Sequence, residues 1–255
     1  MSESHPRFWP LFFELYEGLP RQGPGNRASA ARALALCTGL PSSPDILDLG
    51  CGGGAQTLYL ADLTAGSIVA IDSHAPLVER LRARIADQGL SGRVRALVGD
   101  MADPGQPAES FDLIWSEGAL YNIGIDRAMQ LCHRLLRPGG FVAFTDAVWR
   151  TDHPPAAVRA SFECDYPTMG PSEAVIATVT RNGLDLRGHF TLPDQAWWDE
   201  FYTPMERRIA ELRVKYADDT EAIAVLDQLA QEPEMHRRNA DCYAYEFFVA
   251  RRGRP

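Results

Sequence analysis

The sequence predicts an α/β fold, a mostly parallel sheet covered by helices on both faces. Two observations predict it. From Asp45 onward, short β-rich apolar runs alternate with helical stretches, and a glycine-dense turn, Gly50-Cys-Gly-Gly-Gly54, joins the first run to the first helix that follows it. The composition suits such a domain: 45% of the 255 residues are hydrophobic and 23% charged, the balance of a folded globular chain.

Ahead of the first run, Arg27 to Leu40 reads as an Ala-rich amphipathic helix stopped by Gly39 and Pro41. Gly18 to Asn26, dense in Gly and Pro, is a rigid loop that either links the N-terminal segment to the domain or helps to close a site. The strand candidates are Ile46 to Leu49, Ser67 to Ile71, Val94 to Val98, Phe111 to Trp115, Phe141 to Ala147, Leu184 to Leu192 and Tyr243 to Ala250. Helices are expected around Ala55 to Leu63, Ala75 to Gln88, Asp126 to Leu136 and Ser172 to Asn182, the last ending in Asn-Gly. About 50 residues rich in helix formers separate the last two strands, which predicts a helical insertion acting as a lid.

Charge and cysteine usage narrow the function. Lys plus Arg number 25 against 34 Asp plus Glu, a formal net charge of -9 that argues against a nucleic-acid substrate. The arginines at 80, 82, 84, 93, 95, 251, 252 and 254 read as solvated helix faces and a terminus rather than a polyanion site. Five widely spaced cysteines without a CxxC pair fit neither a disulfide framework nor a zinc site, and the histidines show no metal spacing, so no metal is expected. The opening residues lack a basic stretch followed by a long apolar run, and no long uninterrupted apolar segment follows, so the expectation is a cytoplasmic protein off the membrane.

The chemistry lies in Asp48-Leu-Gly50-Cys-Gly52-Gly53-Gly54, directly after a strand and directly before a helix. Glycine permits the tight turn and a close ligand approach, and the N–H groups opening the helix can receive an anionic group. Asp72 closes the second strand about 20 residues beyond Gly50, where an acid can accept both ribose hydroxyls. A dinucleotide fingerprint would place its third glycine three residues after the second. Here Gly50, Gly52 and Gly54 alternate behind Asp48.

With that spacing, the stretch from Asp45 to Ala147 resembles the class I S-adenosylmethionine-dependent methyltransferases. The resemblance implies a Rossmann-like seven-stranded sheet with an antiparallel last strand, and S-adenosylmethionine as cofactor. Asp48, Gly50, Gly52 and Gly54 would receive its methionine part, Asp72 its ribose, Asp100 and Met101 its adenine, with Ser116 close to the transferred methyl. Leu135-Leu-Arg-Pro138-Gly139-Gly140-Phe fits the same family, and Arg21-Gln-Gly-Pro-Gly25 and Trp115 to Gly124 look like phrases of bacterial members. No Asn-Pro-Pro-Tyr follows the fourth strand, which disfavours the enzymes that methylate DNA and glutamine amino groups.

The expected organisation is an N-terminal helical segment and cap (1–44), a cofactor-binding core (45–192), a helical substrate cap (193–242) and a final core strand with its tail (243–255). Methyl transfer is an in-line displacement, so the protein's task is to align acceptor and methyl about 3 Å apart and exclude water. Glu117 is the first candidate for a catalytic base and Asp146 the second, both at strand ends. Tyr16, Tyr121, Trp197 and Tyr202 are candidates to hold a small-molecule acceptor, with helix packing as the rival account of the aromatics. Cys51 among the glycines is read as a small buried side chain. Exposed aromatics near the N-terminus could also build a homodimer contact. Two other classes stay open: a non-catalytic S-adenosylmethionine sensor or partner subunit, and an NAD-dependent oxidoreductase.

Overall fold

The computed structural model describes residues 6–253; the first five residues of the N-terminal segment and Arg254 of the basic tail lie outside them. Its strands are β1 (Asp45–Leu49), β2 (Ser67–Asp72), β3 (Val94–Val98), β4 (Phe111–Glu117), β5 (Leu136–Trp149), β6 (Leu184–Thr191) and β7 (Tyr243–Arg252). They form one 7-stranded sheet in the order β3-β2-β1-β4-β5-β7-β6. Pairs from β3 through to β5 are parallel, whereas β7 runs antiparallel between β5 and β6. The strand order reverses between β1 and β4. At such a switch point the loops leaving the two carboxyl ends part in opposite directions and open a crevice for a ligand.

Strand residues alternate between two buried faces, which is why the runs are apolar throughout. Ile46, Leu113, Trp115 and Phe247 pack against α2 (Arg27–Leu36), α3 (Ala55–Leu63) and α4 (Ala75–Asp87). Leu47, Leu49, Ile114 and Phe144 pack against α5 (Ile125–Leu135) and α7 (Ser172–Arg181) on the other side. Asn26 caps α2 by accepting from the Ser29 N–H at 2.8 Å.

The expected strands and core helices are present, with some boundaries moved. Helix α2 ends at Leu36 rather than Leu40, since the chain turns at Cys37 and Gly39 takes a φ of +92°. Strand β5 starts at Leu136, drawn into the sheet by pairing of Phe111 with Leu136, so α5 ends one residue sooner than expected. Helix α6 (Ala156–Glu163) and the 3-10 turn Leu120–Ile123 have no counterpart in the sequence reading.

The insertion is helical: α8 (Gln195–Trp197), a π-turn (Trp198–Tyr202), α9 (Thr203–Lys215), α10 (Thr220–Leu229) and α11 (Gln231–Asn239). The wide π-turn brings Trp197 and Tyr202, five positions apart, into a stack with centroids 5.7 Å apart. This cap has its own apolar core, and α1 (Phe8–Glu17) belongs to it: Phe8, Leu11 and Leu15 pack with Met205, Ile209, Val225 and Leu226. Two distant parts of the chain therefore build one cap. Trp9 is 46% exposed on the outer face of α1. No helix among the described residues is long and apolar enough to cross a membrane.

If α1 is an integral part of the cap, Leu15→Ala, at a fully buried position, should cost about 2–5 kcal/mol of unfolding free energy. Urea denaturation measures this, and a loss below about 0.5 kcal/mol would show a loosely attached helix.

Candidate functional site

The carboxyl ends of β1, β2 and β4 meet at the switch point, and the glycine turn leaves β1 there. Gly50 has a φ of +72°, and a side-chain carbon on it would lie 2.4 Å from Ala119 Cβ. Only glycine lets the turn pass so close to the loop after β4. The turn's N–H groups have protein partners: Gly52 donates to Asp72 Oδ2 at 2.8 Å and Gly53 to Gln22 Oε1 at 2.8 Å. Asp72 also accepts from the His74 N–H at 2.8 Å and keeps lone pairs free at a partly exposed position. Asp100 is exposed beyond β3 and bonded to the Ala102 N–H at 2.8 Å, while Met101 reaches 3.7 Å from a side-chain position on Gly50.

Three expected roles change. Asp48 is wholly buried beneath the turn and accepts from Thr57 Oγ1 at 2.5 Å and Gln56 Nε2 at 3.5 Å, so it braces the start of α3 instead of facing a ligand. Burial pushes its carboxyl up to about 7, against the lowering effect of the Thr57 bond. Ser116, also fully buried, donates to the Leu49 carbonyl at 2.7 Å and ties β4 to β1.

Glu117 changes most. One oxygen accepts from Arg21 Nη2 at 2.7 Å and the other from Trp115 Nε1 at 2.8 Å, with Arg21 and Glu117 side chains only 3% and 1% exposed. With one oxygen on a buried guanidinium and the other on an indole N–H, the Glu117 side chain is already engaged at both ends and presents no free oxygen to a substrate. The base role moves away from it.

Asp146 keeps what Glu117 lacks. Its Oδ2 accepts from the Tyr166 hydroxyl at 2.8 Å, and its Oδ1 is buried without a hydrogen-bond partner. Burial pushes this carboxyl up to about 7, into the range where it can take or give a proton. Tyr121 lies beside it, its ring 5.1 Å from that of Tyr166. Tyr16 and Tyr202 meet at another carboxylate, donating to Glu232 at 2.9 Å and 3.2 Å. Trp197 is buried in the cap, stacked on His236 at 4.1 Å and edge-on to Tyr245 at 5.1 Å. Cys51 is buried and its thiol pushed well above the ordinary range, which suits a packing role.

The sequence reading gave no role to Arg21, Gln22, Tyr166, Glu232 and Tyr245. Arg21 also donates to the Gly23 and Pro24 carbonyls, while its Nη1 is buried and without a hydrogen-bond partner. The Gly/Pro density of this loop and its Arg21 to Gly25 phrase were the available signals, and between linker and closure the structure supports closure: Arg80 anchors the Leu19 carbonyl and Gly25 donates to Ala196 of the cap at 2.9 Å.

Comparison with known proteins agrees with this geometry. A family model described as a methyltransferase domain matches residues 46–140. The chain is 37% identical over 136 residues to the nocamycin O-methyltransferase of Saccharothrix syringae, an alignment covering 52% of this chain and 46% of that protein. It spans about half the length of the curated relatives it matches. A methyltransferase structure from Geobacter sulfurreducens, in complex with S-adenosyl-L-homocysteine, superposes with a TM-score of 0.78 at 21% identity, covering 94% of this chain and 97% of that one. The 4+2 cyclase SpnF superposes with a TM-score of 0.74 at 21% identity, covering 97% and 93%.

Two predictions follow from the buried charges. Glu117→Gln leaves Arg21 buried and unpaired and should lower stability by about 3–5 kcal/mol, with much of the loss recovered in Arg21→Met/Glu117→Gln; thermal melts of the three proteins decide, and an undisturbed single variant would mean that the pair is not closed in solution. Asp48 and Asp146 hold protons in the folded state that the unfolded chain, with a carboxyl pKa of about 4, releases. Their contribution is complete below that value and fades as pH rises through about 7. The pH slope of wild-type stability across that window should therefore be less favourable than that of Asp48→Asn/Asp146→Asn, and equal slopes would refute the shifts.

Proposed function

We propose that this chain, whose residues 46–140 match a methyltransferase-domain model, is an enzyme that transfers a methyl group from S-adenosylmethionine to a small-molecule acceptor held under its cap. The observation that carries the reading is the glycine turn at the β1/β4 switch point, with Asp72 beside it and Asp146 across from it. When bound, S-adenosylmethionine supplies a methyl group on a sulfonium, an electrophile that needs alignment more than activation.

The residues fit that cofactor. Asp72 and Asp100 offer carboxylate oxygens for ribose and adenine, and Met101 supplies an apolar surface. The Nη1 of buried Arg21, which has no hydrogen-bond partner while Nε and Nη2 are engaged, suits one oxygen of the methionine carboxylate through a charge-assisted hydrogen bond. Gly52 leaves space for the same end of the ligand, and the Gly53 N–H becomes available to it, once the Gln22 amide gives way.

On the acceptor side, Tyr16, Tyr121 and Tyr202 line the cap, and Asp146 holds an oxygen ready to accept a proton. The apolar surroundings exclude water, which strengthens every electrostatic contact within. The relative from Saccharothrix syringae is, by its name, a nocamycin O-methyltransferase.

Calorimetry tests the reading. S-adenosylmethionine and S-adenosylhomocysteine should bind at micromolar strength or tighter and NAD should not. Arg21→Lys, which keeps a charge for Glu117 but loses the forked donor, should weaken S-adenosylhomocysteine about ten-fold with little change in melting temperature. Absence of binding by either ligand would refute the proposal.

A further inference from the structure

We propose that the acceptor is an organic cation, an ammonium bound in its protonated form between the tyrosines and carboxylates of the cap, with Asp146 Oδ1 receiving the ammonium proton. This rests on the methyltransferase reading and adds the charge class of the substrate.

The argument begins with a charge imbalance. Asp146 and Glu232 are enclosed carboxyl groups whose side-chain hydrogen bonds come from phenols, Tyr166 on one and Tyr16 and Tyr202 on the other. Among the described residues no Lys, Arg or His pairs with either. The contrast within the same molecule is Glu117, which has Arg21. A buried carboxyl without a cation is driven toward its neutral form, and a cationic ligand is what would restore its charge.

A second observation points to a ligand independently: Asp146 Oδ1 is buried, in a residue only 1% exposed, and no side chain hydrogen-bonds to it among the described residues. The aromatic surroundings add a third. Tyr16 and Tyr202 bond to Glu232, Tyr166 bonds to Asp146 with the Tyr121 ring 5.1 Å from its own, and Tyr245 lies edge-on to Trp197 at 5.1 Å, so aromatic rings flank the space at both carboxyl groups. Tyrosine faces attract an ammonium through the ring quadrupole, most strongly where water is excluded.

This space adjoins the cofactor side. A side chain on Gly118, directly after β4, would come within 3.2 Å of the Tyr245 ring, and the next residue, Ala119, touches Gly50 of the glycine turn. The proton step is simple: an N–H bond of the ammonium breaks, an O–H bond forms at Asp146 Oδ1, and the nitrogen keeps its electron pair as the nucleophile. The raised affinity of Asp146 for a proton matches that task near neutral pH.

The test measures binding of protonated N,N-dimethylethanolamine and trimethylammonium to the protein saturated with S-adenosylhomocysteine, which carries no sulfonium charge. The neutral isostere of protonated N,N-dimethylethanolamine, 3-methylbutan-1-ol, is the control. At least one cation should bind ten-fold or more tightly than the alcohol, and Glu232→Gln should erase most of that preference while S-adenosylhomocysteine affinity and melting temperature hold. Equal binding of cation and alcohol, or no binding of either cation, overturns the inference while leaving the methyltransferase reading intact. Loss of S-adenosylhomocysteine binding in the wild-type protein would instead refute the underlying reading.

Discussion

The buried ion pair between Arg21 and Glu117 organises the site, because it joins a loop from the N-terminal segment to the carboxyl end of β4 at the point where the strand order reverses. Taking both charges out of water is expensive, and the pair persists because each member has further partners. Trp115 Nε1 serves the second Glu117 oxygen, and the Gly23 and Pro24 carbonyls serve Arg21. With Arg21 fixed, the neighbouring Gln22 has little choice of position: its amide oxygen lies on the Gly53 N–H, and its nitrogen ties back to the Tyr16 and Leu19 carbonyls. Four residues after Arg21, Gly25 meets the cap at Ala196. One pair thus sets the relation of loop, glycine turn and cap.

The core was legible in the sequence for a physical reason. Strands buried on both faces must be apolar at every position, so β1, β2 and β4 stand out as short runs, and a turn that passes within touching distance of Ala119 must use glycine at Gly50. Asp72 was legible by its distance along the chain from that turn. The roles of Glu117 and Asp146 were not. Both are acids near strand ends, and what separates them is a guanidinium 96 residues from Glu117 and a phenol 20 residues from Asp146. Glu232 was hidden for a similar reason: its helix, Gln-Glu-Pro-Glu-Met-His-Arg-Arg-Asn, reads as a solvated face, and only packing against α1 and the π-turn encloses that side chain.

The cap shows the same limit from another side. Its helical character follows from composition, yet the membership of α1 depends on Leu11 and Leu15 finding Met205 and Leu226 about 200 residues away. An amphipathic helix declares that it has an apolar face, and says nothing about which partner covers it. The N-terminal aromatics divide accordingly: Phe8 is buried in the cap, while Trp9 stays largely outside.

Likeness of fold does not choose the chemistry, since the structure superposes on a 4+2 cyclase about as well as on a methyltransferase. The distribution of charge within the crevice is more discriminating. Around the glycine turn, acids have partners that hold them in place: Asp72 has two backbone N–H groups, Asp48 has Thr57 and Glu117 has Arg21. Under the cap, the side chains that bond to Asp146 and Glu232 are phenols alone among the described residues. The half of the crevice with the guanidinium is suited to gripping a carboxylate-bearing ligand, and the half where no described cation pairs with the acids is suited to receiving a cation.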